Sequence, residues 1–198
     1  MLIRLQSAVL VLLMLSVAVV HAAGNNLADA AKAGDLDAVR SLLKSGADVN
    51  QTLADGTTAL AHAAHLNNLA LVELLLKAGA DTNKPNDFGA TAVYLAAASA
   101  DGPVIEKLLQ AGANPNNALL SGETPLMAAT NRGRTATVKL LLDHDADPNA
   151  AEKNAGQTGL MWAVADKRTE LVELLVESEA DVHISSKSGF TPLMFAAQ

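Results

Sequence analysis

Residues 121–126 read Ser-Gly-Glu-Thr-Pro-Leu, a combination of residues typical of a turn followed by a helix. Gly122 permits a turn with positive φ, Thr124 can cap the N-terminus of a helix, and Pro125 suits the first helical position. The stretch therefore predicts a tight turn that leads directly into a short helix, from Leu126 to Asn131.

A second helix follows the first after a break at Gly133. Val138, Leu141 and Leu142 have the i, i+3, i+4 spacing that places apolar side chains on one face of a helix, and we expect this helix over about 135–143. The next segment is polar and contains Asp147-Pro148-Asn149. It is predicted to return the chain to the following turn.

This unit recurs along the chain with a constant period. The threonine recurs at intervals of 33, 33, 34 and 33 residues, at Thr58, Thr91, Thr124, Thr158 and Thr191. An Ala-Asp or Ala-Asn pair recurs at intervals of 33, 33, 33 and 34, beginning at Ala47, Ala80, Ala113, Ala146 and Ala180. The one extra residue falls in the loop between Asp147 and Thr158. Such a unit cannot bury its apolar face alone, so stacking of repeats into a solenoid is predicted.

The period, the Gly-x-Thr-Pro-Leu turns at 122–126 and 189–193 and the Leu-Leu-x-x-Gly-Ala-Asp run at 75–81 resemble the ankyrin repeat family. The resemblance covers about residues 25–198. It implies an all-α solenoid of stacked helix-turn-helix units with short β-hairpin fingers, in a domain over 23–198. We expect a capping repeat at about 25–50, full repeats at about 51–84, 85–117, 118–151 and 152–184, and a truncated sixth repeat at 185–198.

Two repeats depart from the pattern where the second helix ends. Gly46, Gly79 and Gly112 stand where the end of the second helix requires a left-handed backbone conformation. Asp145 and Glu179 occupy that place in later repeats. A non-glycine residue in the left-handed region costs about 1–2 kcal/mol. We therefore expect the C-terminal repeats to be the less stable ones.

The first residues are predicted to direct export. Arg4 is the only charged residue among residues 1–22, an apolar run extends from Ala8 to Val20, and small residues follow it. This arrangement is typical of a signal peptide, here residues 1–22, and favours a periplasmic or secreted protein. The alternative is an uncleaved membrane anchor formed by residues 5–20.

Composition excludes several classes of function. The chain has no cysteine, which excludes disulfides and cysteine-ligated metals, and its 21 acidic against 14 basic residues argue against nucleic-acid binding. His62 and His65 are three residues apart, but no further ligand is indicated, so we predict no metal, no cofactor and no small-molecule substrate. No catalytic motif is present, and we predict that the chain is not an enzyme.

The resemblance also implies where a protein partner would bind, at the finger tips and at the end of each first helix on the concave face. Carried over by position, the candidate partner-binding residues are Asp55, Thr57, His65, Leu66, Phe88, Glu123, Asn131, Arg132, Gln157, Asp166 and Phe190.

Some of these assignments have alternatives. Phe88 and Phe190 are the main candidate anchors, because aromatic side chains often anchor interfaces, but each could instead fold back on a neighbouring finger. Trp162 could pack in the core or contact a partner. Arg132 with Arg134 and Lys167 with Arg168 occupy equivalent places, and could form either solvated loop charge or a docking site for an acidic partner.

Two functional hypotheses follow. The first is a non-catalytic exported module that binds a protein partner. The second is the recognition portion of a larger exported protein whose catalytic or redox domain lies beyond Gln198, since the sixth repeat lacks its second helix. That missing helix also predicts an uncapped end, at which a partner or a second copy of the chain could dock.

Overall fold

The computed structural model describes residues 26–99 and 102–197. Within these residues the chain forms eleven helices and no extended strand. They are α1 Leu27–Lys32, α2 Leu36–Lys44, α3 Ala59–His65, α4 Leu69–Lys77, α5 Ala92–Ser99, α6 Pro103–Gln110, α7 Pro125–Asn131, α8 Thr135–Leu142, α9 Gly159–Ala165, α10 Thr169–Glu177 and α11 Pro192–Ala196. The predicted signal peptide lies outside the described residues.

The helices stack in two rows. Each first helix (α1, α3, α5, α7, α9, α11) contacts the first helix of the next repeat, and the second helices (α2, α4, α6, α8, α10) form a parallel row. The apolar core runs between the rows and is built from leucine, valine and many alanines. Alanine lets neighbouring helices approach closely, which explains how a chain with 3% aromatic residues still has a core. The predicted all-α solenoid is confirmed.

The predicted caps account for where the first helices begin. The hydroxyl oxygens of Thr58, Thr124 and Thr158 accept hydrogen bonds from backbone N–H groups three residues later, at 3.1, 3.3 and 3.4 Å. α7 and α8 lie within one residue of their predicted bounds. Local sequence therefore determines these helices.

The expected hairpin fingers are shorter than strands. Between the described helices, the only β-pairing consists of isolated antiparallel bridges, Thr52 with Thr58 and Ala151 with Thr158. In four fingers one backbone bond spans four residues, as from the Leu119 N–H to the Glu123 carbonyl at 2.9 Å. A bond that closes over four residues forms a tight turn and not a pair of extended strands, so the fingers are turns rather than β-strands.

The finger before α9 contains the extra residue of the repeat. Its closing bond runs from the Glu152 N–H to the Gln157 carbonyl, five residues away. The buried Glu152 carboxylate accepts hydrogen bonds from the N–H groups of Asn154, Ala155 and Gln157, at 2.6, 2.8 and 3.0 Å. Burial alone would raise the pKa of Glu152, but the backbone N–H groups outweigh it and lower the pKa. A side chain thus fills the longer turn.

Asparagine side chains join the loops of successive repeats. The side-chain carbonyls of Asn50, Asn83, Asn116 and Asn149 each accept a backbone N–H from the next repeat, at 2.6–2.8 Å. Asn116 also donates a hydrogen bond from its side-chain NH2 group to the Asp145 carbonyl, at 2.9 Å. Asn83, Asn116 and Asn149 therefore each hold two backbone groups of the following repeat.

The ends of the second helices have the predicted left-handed backbone. Gly46, Gly79 and Gly112 have φ of +86°, and Asp145 and Glu179 have φ of +65° and +66°. In each repeat the following alanine N–H bonds back to the helix, as from Ala146 to the Leu141 carbonyl at 3.0 Å. Asp145 and Glu179 adopt this backbone without the freedom of glycine.

Among the described residues, none covers the C-terminal face of the solenoid. Val172 is half-buried, whereas the equivalent residues of earlier repeats, Val39, Val72, Ile105 and Val138, are completely buried. Val172, Val176, Val182 and Leu193 line an apolar groove of about 390 Å³ on this face.

Candidate functional site

Adjacent fingers are joined edge to edge by their backbones. The N–H groups of Asp87, Leu120, Lys153 and Lys187 donate to the carbonyls of Asp55, Phe88, Ser121 and Ala155, at 3.0, 3.0, 2.7 and 2.8 Å. Gly89 shows how close this contact is, because a Cβ at that position would lie 3.0 Å from both the Ala118 carbonyl oxygen and the Leu120 nitrogen. The fingers form one continuous edge.

Two large apolar side chains stand on this edge. Phe88 is 64% exposed, and Leu120, on the next finger, is 69% exposed. We call Phe88 and Leu120 the finger-tip pair. Phe88 was predicted, but Leu120 was missed, because only the pairing of the two fingers brings it next to Phe88.

The candidates at the ends of the first helices are exposed. His65 ends α3 and Leu66 follows it, Asn131 ends α7 and Arg132 follows it, and Asp166 follows α9. These side chains remain candidates for partner contact. Asp166 also forms an ion pair of 2.9 Å with Arg168.

Thr57 does not fit the predicted surface. Its side chain is 5% exposed, and its hydroxyl oxygen accepts a hydrogen bond of 3.3 Å from the Asn86 side-chain amide of the next finger. The neighbouring finger therefore covers it, and we remove Thr57 from the candidate surface. Asp55 is exposed, but its carboxylate accepts the Thr57 N–H at 3.0 Å, and this bond lowers the pKa of Asp55.

Finger and first helix contact each other in two consecutive repeats. The Trp162 indole N–H donates to the Gln157 side-chain oxygen at 2.8 Å. One repeat later the equivalent residues are Phe195 and Phe190, whose ring centroids lie 5.8 Å apart at 54°. Phe190 thus contacts an aromatic neighbour, while Trp162 is half-buried rather than part of the core.

Glu123 connects two repeats. It is half-buried, and its carboxylate interacts electrostatically with the Tyr94 phenol on α5. Burial raises the pKa of Tyr94, and the charge of Glu123 raises it further, so the phenol keeps its proton. The arrangement leaves lone pairs of the Glu123 carboxylate available.

One residue of the predicted basic patch, Arg168, forms its contacts within the chain. One guanidinium nitrogen of Arg168 donates to the Thr130 carbonyl at 2.5 Å, while the other faces Asp166. Arg132 and Lys167 remain exposed. The surface is therefore less basic than the sequence indicates.

The described residues contain no group of three or more histidine, aspartate or glutamate side chains that could hold a metal ion. Burial lowers the pKa of His62, which favours the neutral imidazole. Among residues 26–99 and 102–197, no helix has the length and apolar character needed to cross a bilayer.

Comparison with known families agrees with this architecture. The chain matches the family described as "Ankyrin repeats (3 copies)" over residues 27–118, 95–186 and 152–198. No curated protein matches the chain. The matches together extend over residues 27–198, and they coincide with the stacked helix pairs and fingers. The chain therefore belongs to the ankyrin repeat family.

Proposed function

We propose that this chain is a non-catalytic protein-binding module that recognises its partner through the finger tips and the ends of the first helices. Ankyrin repeats are generally protein–protein interaction modules, and ankyrin repeat domains are typically non-catalytic. The exposed fingers and helix ends support this role.

The observation that carries the proposal is the finger-tip pair. Phe88 and Leu120 are exposed on adjacent fingers, and a backbone hydrogen bond of 3.0 Å joins the two fingers. Apolar side chains held on a rigid edge bury apolar area on binding and lose little conformational freedom. Few residues supply most of the energy at such interfaces, and aromatic residues are among the commonest of them.

The test is quantitative capture of partners from an extract of the exporting compartment, using the full chain as bait. Phe88→Ala with Leu120→Ala should reduce recovery of a specific partner at least about ten-fold, as expected for loss of an interface anchor. Glu173→Ala is the control, because Glu173 is exposed on α10 and lies outside the proposed finger-tip surface and outside the apolar groove. Equal recovery by the double variant and the control would contradict the proposed surface.

The chain is also proposed to be exported, on the strength of the positively charged start and the apolar run of residues 8–20. The intact mass of the protein recovered from the producing cell tests this directly. Loss of residues 1–22 is expected, while a retained apolar segment in the membrane fraction would favour the anchor.

Self-association through the C-terminal face is a second candidate. The groove of about 390 Å³ and the exposed Leu193 and Val176 favour it. Light scattering over a range of concentrations should then show a mass that rises with concentration, and Leu193→Asp should abolish that rise.

A further inference from the structure

A notch separates the finger before α7 from the finger before α9. It has a volume of about 260 Å³, and its lining includes Ser121 and Glu123 from one finger, Glu152 and Gln157 from the next, and Trp162 from α9. At about 30 Å³ per water molecule, it has room for a side chain that displaces several waters. The two fingers hold it in shape through the Lys153 N–H, which donates to the Ser121 carbonyl at 2.7 Å.

Trp162 gives the notch an aromatic wall of fixed orientation. Its indole N–H is satisfied by the Gln157 side-chain oxygen at 2.8 Å. Since the N–H is the only polar group of the indole, what remains for a ligand is the π surface of the ring. The electron-rich face of an indole attracts cations better than the ring of any other side chain.

Glu123 gives the notch a negative charge, and its carboxylate can accept hydrogen bonds. Its carboxylate lies close enough to Tyr94 to raise the pKa of that phenol, and within the described residues it forms no ion pair. The Glu152 carboxylate adds charge, but both of its oxygens are already held by backbone N–H groups. None of the described residues that line the notch is basic.

A carboxylate and an indole in one small notch select for a cation that is planar. We propose that the notch binds an arginine side chain of the partner, whose guanidinium stacks on Trp162 and donates hydrogen bonds to Glu123. A guanidinium combines a stacking face with paired donors that match a carboxylate, and it is more weakly hydrated than an ammonium. This inference rests on the proposed function, since it names what one part of the partner-binding surface recognises.

Trp162 itself reports occupancy, because it is the single tryptophan of the chain. The probe is the peptide acetyl-Gly-Arg-Gly-amide, titrated into the full chain while tryptophan fluorescence is followed. The matched control peptide carries citrulline, which keeps the planar shape of arginine and lacks its charge. The arginine peptide should give a saturable change with a Kd on the order of 1 mM, because it makes few contacts. The citrulline peptide should bind at least about five-fold more weakly, because it lacks the charge-assisted contact.

Variants assign the binding to the notch. Glu123→Gln should weaken the arginine peptide about five-fold, since it removes the charge but keeps the shape. Glu173→Gln is the control, because Glu173 is an exposed acid on α10, outside the notch, and it should leave the affinity unchanged.

Equal binding of the arginine and citrulline peptides by the wild-type chain would overturn the inference, as would the absence of any saturable change. That comparison uses no variant, so a folding defect cannot obscure it. The proposed function is judged separately, by whether the finger-tip pair is needed to capture a partner. A chain that loses its partner without Phe88 and Leu120 but ignores arginine would retain the proposed function and refute this site.

Discussion

Leu160 and Leu193 occupy the same place in consecutive repeats but lie in opposite environments. Leu160, on α9, is 1% exposed, and Leu193, on α11, is 79% exposed. The two residues follow their threonine caps by the same two positions. The difference arises because Leu160 is enclosed between neighbouring repeats, whereas Leu193 lies on the uncovered C-terminal face.

The same substitution at these two leucines should have different effects on the stability of the chain. Leu160→Ala should lower the free energy of unfolding by about 2–5 kcal/mol, because it removes buried apolar volume and leaves a cavity. Leu193→Ala should change it by about 0.5 kcal/mol or less, as at other exposed sites. Chemical denaturation of both variants measures the difference. Similar losses in the two variants would show that Leu193 is covered in solution.

Asp145→Gly and Glu179→Gly should each stabilise the chain. Both residues have a left-handed backbone, at φ of +65° and +66°, and relief of that cost exceeds the extra freedom glycine gives the unfolded chain. We expect a gain of roughly 1 kcal/mol, or about 2–4 °C in melting temperature. Gly79→Ala, at φ of +86°, is the reciprocal control and should lower the melting temperature. An unchanged or lower melting temperature in both glycine variants would refute the explanation.

Glu152→Gln should destabilise the long finger, because the carboxylate holds three backbone N–H groups. The expected loss near neutral pH is about 1–2 kcal/mol, as for charge-assisted hydrogen bonds. The pKa of Glu152 is lowered by folding, so its contribution is present above the unfolded pKa and is lost as pH falls through the folded one. Denaturation at several pH values should therefore show wild type and variant converging in acid. A gap that stays constant with pH would exclude the charge as its cause.

Asn116→Ala should loosen the junction between two repeats. Its side chain accepts the Asp147 N–H at 2.8 Å and donates to the Asp145 carbonyl at 2.9 Å. Loss of both bonds should cost about 1 kcal/mol, because these groups are exposed and water replaces part of the interaction. Hydrogen exchange at the Asp147 amide should accelerate. Asn131→Ala, at another exposed asparagine, serves as control, and acceleration in both variants would contradict a specific clamp.

Features that depend on residues close together in the chain were predictable. Thr124 caps α7 through a bond to Met127, three residues away, and the left-handed ends at Asp145 and Glu179 follow from the helices that precede them. The placement of the extra residue in a loop was predicted as well. The filling of that turn by Glu152 was not, because nothing in the sequence distinguishes a buried carboxylate from an exposed one.

The binding surface depended on contacts between repeats. Thr57 is buried because Asn86 of the next finger covers it. One guanidinium nitrogen of Arg168 donates a hydrogen bond to the Thr130 carbonyl of the preceding repeat. Leu120 matters only because its N–H pairs with Phe88. These partners lie about one repeat apart, so their proximity is a consequence of stacking.

Local sequence was enough to predict the period, the helix pairs and their ends, since these arise from hydrogen bonds and backbone preferences within a few residues. The stacking of the repeats determines which equivalent side chains are buried, as with Leu160, and which are exposed, as with Leu193. It also brought Glu123 and Trp162 to one notch. The physical reason is that burial in a solenoid depends on what the neighbouring repeat covers, and a repeat does not encode its neighbour.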